Sequence, residues 1–161
     1  EIGYEIIGEL KGRTLLFKNR PNDPEIQAFN EKMRELWTKK IKLDKRNPNV
    51  LGIVSNNEYF TMLYRFRSKG DIIVKAHRYD PGANLIDSTV VKNFGGLFIT
   101  PDFEMTISED QTKALLYYID KQRFVVALCY DLNTKKVLWD RTIELQDYNF
   151  ARDFIHFLTN W

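Results

Sequence analysis

Leu138-Trp139-Asp140-Arg141-Thr142-Ile143 has two earlier echoes in the chain, Leu36-Trp37-Thr38-Lys39-Lys40-Ile41 and Leu85-Ile86-Asp87-Ser88-Thr89-Val90. Aligned this way, Trp37, Ile86 and Trp139 stand 86−37=49 and 139−86=53 residues apart. A period of about fifty residues is in the range at which units of four strands repeat, so the echo predicts a chain of repeated four-stranded units.

Each echo follows an extended run that closes on an aromatic and a small polar residue: Phe29-Asn30, Tyr79-Asp80 and Tyr130-Asp131. Asp80-Pro81-Gly82 and Asp131-Leu132-Asn133 are turn formers, which bond their own backbone or accept unusual φ. After the turn, Trp139, Arg141, Ile143 and Leu145 alternate with Leu138, Asp140, Thr142 and Glu144, and Trp37, Lys39, Ile41 and Leu43 repeat the alternation. Period two predicts strand. The runs Ile72-Ile73-Val74 and Val125-Val126-Ala127-Leu128 are apolar without alternation, as expected of strands covered on both faces. Further strands are predicted at Arg13–Phe17, Tyr59–Tyr64 and Ala114–Tyr118, and at Glu5–Ile7, Val50–Val54 and Phe103–Ile107.

With four strands per unit and an aromatic-Asp turn leading into a Leu-Trp strand, Tyr4 to Leu145 resembles the blades of β-propellers of the WD40-like and quinoprotein-like kinds. The resemblance implies an all-β fold of antiparallel four-stranded blades in a partial ring. Its units are 4–43, 50–91 and 103–145, and a fourth starts at 154–161. There is no Gly-His followed by Trp-Asp at the WD40 spacing, and Ile86 stands where the other units have Trp, so no family's functional residues carry over. In its Asn, Lys, Tyr and Phe content the chain looks like propeller modules of bacterial cell-envelope proteins, which implies a periplasmic or envelope location. Propellers host unrelated activities, and the resemblance implies a binding or scaffolding role rather than a particular one.

Two segments admit a second reading. Asn22-Asp23-Pro24-Glu25 has the form of a helix N-cap with proline at the first position, and Ile26, Phe29, Met33, Leu36 and Trp37 follow at helical spacing. Phe150, Phe154, Phe157, Leu158 and Trp161 also fit a helix stripe. Helices near 24–40 and 149–160 on an antiparallel sheet would make a compact α+β ligand-binding or accessory domain. The repeat favours strand, turn and strand over 24–40, with Asn30–Arg34 as the connection, because tertiary context overrides local helix propensity.

Propellers close with about four to eight blades, so three units predict a piece of a longer protein or a chain that lies against another. The expected partners are therefore other protein chains or the remainder of the same polypeptide. The chain begins at Glu1, and the repeat predicts at least three further units past Trp161.

Composition excludes several chemistries. With 24 basic and 22 acidic residues the net charge of +2 is too balanced for a nucleic-acid surface. The densest basic stretch, Lys39, Lys40, Lys42, Lys45 and Arg46, reads as a solvated strand edge and loop, where lysine discourages pairing with other chains. Cys129 is the single cysteine and sits among apolar neighbours, so it is expected to be a buried thiol without a disulfide. No apolar run approaches the eighteen or so residues of a membrane span, and there is no signal-peptide pattern.

His77 and His156 are the only histidines and neither has a second ligand at zinc spacing, so no metal or other cofactor is expected. His77 reads as a hydrogen-bonded structural histidine. Without a nucleophile elbow or a phosphate loop, no enzyme activity and no catalytic, cofactor-binding or metal residue is expected. Asp80 with Asp131, and Asp87 with Asp140, recur at matching places in two units and are expected to serve the fold, as turn openers and as partners of Arg141 or lysines. Trp37, Trp139, Tyr79 and Tyr130 are expected to pack between units.

Overall fold

The computed structural model describes residues 2–20, 23–44, 48–121 and 123–145, which form twelve β-strands and no helix. The first sheet is β1 (Gly3–Leu10), β2 (Arg13–Asn19), β3 (Glu25–Phe29) and β4 (Glu35–Lys40). The second is β5 (Asn49–Ser55), β6 (Phe60–Ser68), β7 (Asp71–Tyr79) and β8 (Leu85–Asn93). The third is β9 (Glu104–Ile107), β10 (Lys113–Asp120), β11 (Phe124–Asp131) and β12 (Lys136–Glu144). Each sheet is an antiparallel meander whose strands lie side by side in chain order, a blade-like arrangement. The helix alternative at 24–40 is overturned: β3 and β4 occupy it, because β3 pairs on both sides and buries Ile26 and Ala28. The alternative at 149–160, and the fourth unit at 154–161, lie outside the described residues.

The chain divides into two compact units, Glu1–Phe98 and Ile99–Trp161. Within the first, Leu15, Phe17, Ile26, Ala28 and Ile41 of one sheet form a core with Phe60, Met62, Tyr79 and Ala83 of the next. Trp37, Val50 and Ile53 are partly buried against it, and Phe60 stacks on Tyr79 with ring centroids 5.1 Å apart. Burying each large apolar side chain contributes roughly 1.5–3 kcal/mol, so this interface outweighs any polar contact between the two sheets. Ser55 Oγ donates to Ile7 O at 2.6 Å where β1 meets β5. Gly8 is required there: its φ is 140°, and an added Cβ would stand 2.6 Å from Ser55 Oγ. In the second unit, Leu115, Val125 and Ala127 cluster with Tyr117, Trp139, Ile143 and Leu145. By strand register, Leu115, Tyr117, Ala127, Trp139 and Ile143 occupy the positions of Leu15, Phe17, Ile26, Trp37 and Ile41.

The register also corrects the sequence alignment. In all three sheets the outer hairpin carries a β-bulge one step after its turn: Ala28 pairs Trp37 while Phe29 pairs Glu35, Arg78 pairs Asp87 while Tyr79 pairs Leu85, and Cys129 pairs Trp139 while Tyr130 pairs Val137. Leu36, Ile86 and Leu138 are the extra residues. The equivalent of Trp37 and Trp139 is therefore Asp87, not Ile86, and the spacings are 87−37=50 and 139−87=52. The Leu-Ile pair at 85–86 imitates the Leu-Trp pair but sits one residue early. A one-residue slip exchanges the faces of a strand, which is why Val91 is buried like Ile41 while Val90 is exposed.

The turns differ from expectation in one detail. The left-handed residue is Met33 (φ 54°), Ala83 (φ 57°) or Lys135 (φ 59°), not Gly82 or Asn133. Gly82 is needed for room, since a Cβ there would approach Asn84 Nδ2 to 3.1 Å and Asp80 Oδ1 to 3.3 Å. After β8, Ile72 N donates to Gly95 O at 2.9 Å and Arg67 donates to Leu97 O at 2.9 Å.

Candidate functional site: a buried tyrosine–histidine relay

The chemistry-bearing groups brought together in the first unit come from β6, β7 and the connection that leaves β4. Tyr64 pairs across to Lys75, and Met62 to His77, so period two puts Tyr64, Lys75, His77 and Tyr79 on one face of the second sheet. Asp44 reaches the same face from the connection. Tyr64 OH donates to Asp44 Oδ2 at 2.6 Å, and Lys75 Nζ donates to the same oxygen at 2.8 Å. His77 lies 3.0 Å from Tyr64 OH through Nε2 and 3.0 Å from Tyr79 OH through Nδ1.

One hydroxyl has one proton, and an ionised carboxylate only accepts. With Tyr64 donating to Asp44, His77 Nε2 must carry hydrogen and donate to the Tyr64 oxygen, which leaves Nδ1 to accept from Tyr79 OH. The relay therefore runs one way: Tyr79 to His77 to Tyr64 to Asp44. The electrostatics agree. Burial, and then the Lys75 charge, push the His77 pKa below its ordinary value and keep the ring neutral. Burial, then the bond and charge of Asp44, push Tyr64 far above the usual phenol range, and burial does the same to Tyr79. For Asp44, burial acts against the charged form, but the hydrogen bonds from Lys75 and Tyr64 and the Lys75 charge outweigh it, and its pKa falls.

Such an arrangement holds structure. His77 is 5% exposed and both its ring nitrogens are bonded, so no substrate atom reaches it. The sequence marked His77 as structural; it missed Asp44, Tyr64 and Lys75, whose partnership depends on strand pairing and on a connection of no recognisable pattern.

The other singled-out residues serve the hairpins. Asp80 Oδ1 accepts from Gly82 N and Asn84 N, both at 2.9 Å, and Asp131 Oδ1 accepts from Asn133 N at 2.9 Å and Thr134 N at 2.8 Å. Asn30 does the same toward Lys32 and Arg34, each at 3.0 Å. Asp87 and Asp140 are not a matching pair: Asp87 shares the register place of Trp139, accepts from Thr89 Oγ1 at 2.9 Å and lies one step from the Asp140 position. Lys39 sits over Trp37 with Nζ 5.5 Å from the ring, and reaches Gly82 O at 2.7 Å, so it ties β4 to the hairpin of the next sheet. Trp139 and Arg141 form a similar pair at 5.8 Å. Cys129 is buried, and burial raises its thiol pKa. An open cleft lined by Ser108, Glu109, Asp110 and Lys113 borders the β9–β10 turn. Ser108, Asp110 and Lys113 are engaged with one another, Ser108 Oγ donating to Asp110 at 2.6 Å and Lys113 N to Ser108 Oγ at 2.9 Å. Among the described residues no group of three or more His, Cys, Asp or Glu is placed to hold a metal ion, and no helix is long and apolar enough to cross a membrane.

No protein-family model, no curated protein and no solved structure matches this chain.

Proposed function

We propose that the chain is a non-catalytic binding or scaffolding module made of β-propeller blades, and that its partners are other protein chains. The supporting observation is the bulge residue of the outer strand. Leu36, Ile86 and Leu138 occupy one register place in three sheets and are 48%, 57% and 49% exposed. A bulge re-aims a side chain, and an apolar residue held in solvent at the same place in every repeat suits a partner engaged repeat by repeat. The chain's polar recurrences, by contrast, are engaged in its turns. The envelope location belongs to the same proposal.

The test is a photo-crosslinking residue at position 86 in the chain expressed in its source cell, with cell fractionation alongside. A discrete protein adduct that excess unlabelled chain competes away and that Leu36→Lys weakens supports the reading. Adducts that neither treatment changes refute it.

A further inference from the structure

We propose that the Asp44–Tyr64–His77–Tyr79 relay is an acid-sensitive clasp: a proton added to His77 breaks its single hydrogen-bond direction and loosens the hold of the second sheet on Asp44. Nδ1 is the only ring atom able to take a proton, and it accepts from Tyr79 OH at 3.0 Å. Protonated, it becomes a donor facing a donor. The Tyr79 hydroxyl must then turn its hydrogen away, and among the described residues it has no hydrogen-bond partner but His77 in a buried site.

Of the charges around the ring, the Asp44 and Asp87 carboxylates favour an imidazolium, but burial and the Lys75 charge outweigh them. From β6 comes Tyr64, whose proton is held by Asp44; from β7 come Tyr79 and the cation of Lys75, which opposes an imidazolium. From β8 comes Asp87, already accepting from Thr89, and from the connection after β4 comes Asp44, shared between Tyr64 and Lys75 and touching His77 only through the phenol. A buried imidazolium is therefore relieved by opening. Since Tyr64 is the link between the ring and Asp44, the opening removes one of the two bonds that hold Asp44 and leaves it with Lys75 alone.

The sign follows from linkage. The folded pKa of His77 lies below the ordinary value, so closure is complete above pH of about 6.5 and is lost as pH falls toward the folded value. One proton taken up on opening makes the open population rise about tenfold per pH unit in that window, levelling off below the folded pKa.

The experiment is deuterium uptake of the full chain between pH 7.5 and 5, corrected for intrinsic exchange and read on the amides of residues 41–44. His77→Gln serves as the comparison, because its amide can donate to Tyr64 and accept from Tyr79 without titrating. Uptake that rises with acid in the parent and stays level in H77Q is the expected result. A rise of equal size in both, or none in the parent, overturns the proposal. Should H77Q fail to fold, NMR titration in a His156→Gln background decides: an Asp44 amide shift that follows the His77 midpoint supports the clasp, and an Asp44 amide that does not follow it overturns it.

Discussion

Removing a single oxygen, by Tyr64→Phe, is the sharpest stability test of the relay. The ring is fully buried and keeps its packing, since phenylalanine fills the same space and the edge contact with His77 at 4.9 Å between centroids is retained. Two hydrogen bonds disappear together. The one to the Asp44 carboxylate is charge-assisted and is worth about 1.5–3 kcal/mol, while the one from His77 Nε2 is neutral and worth about 1. Asp44 recovers part of its loss, because its side chain is 32% exposed and keeps Lys75. His77 recovers little, being buried on the other side of the ring. The net cost is about 2–3 kcal/mol, or a fall of about 4–12 °C in Tm for a chain of this length. Urea unfolding with an unchanged m-value measures it. Tyr79→Phe removes one neutral bond and should cost about 1 kcal/mol. If both changes cost the same, or Tyr64→Phe costs less than about 0.5 kcal/mol, the one-way relay is wrong.

Gly8→Ala should destabilise the first unit by about 1–3 kcal/mol, through a strained φ and displacement of Ser55 from Ile7 O; a thermal melt of Gly8→Ala against Ser55→Ala separates the two parts. Asp80→Ala should cost about 1–2 kcal/mol, because the Gly82 and Asn84 amides lose their acceptor, and Asp131→Ala should fall in the same range; chemical denaturation that finds either neutral would remove the turn-opening role. Asp44, Asp80 and Asp131 all have folded pKa values below the ordinary carboxylate value. Their stabilisation is therefore present above pH of about 4 and lost as pH falls through the folded values, a second acid transition below the His77 window that a Tm-against-pH profile should resolve. Far-ultraviolet circular dichroism should show a helix content under a fifth of the chain; more would contradict twelve strands over the described residues.

Period-two alternation around Trp37 and Trp139, and turn residues such as Asp80 and Asp131, were enough to read the strands from sequence. Each is a local signal, set by the pleat or by a side chain bonding its own backbone within four residues. The burial of Cys129 and the hydrogen-bonded state of His77 were legible for a similar reason, through apolar neighbours on an inner strand. Tertiary structure alone decided the rest. A bulge adds one residue without changing composition, so Leu85-Ile86 passed for Leu36-Trp37 until the pairing of Arg78 with Asp87 placed it one step later. Asp44 met Tyr64, twenty residues on, only because two sheets pack on a shared core and bring a patternless connection over the face of the second. Hydrophobic periodicity reports which way a side chain points, whereas partnership between distant polar groups depends on where packing carries the backbone.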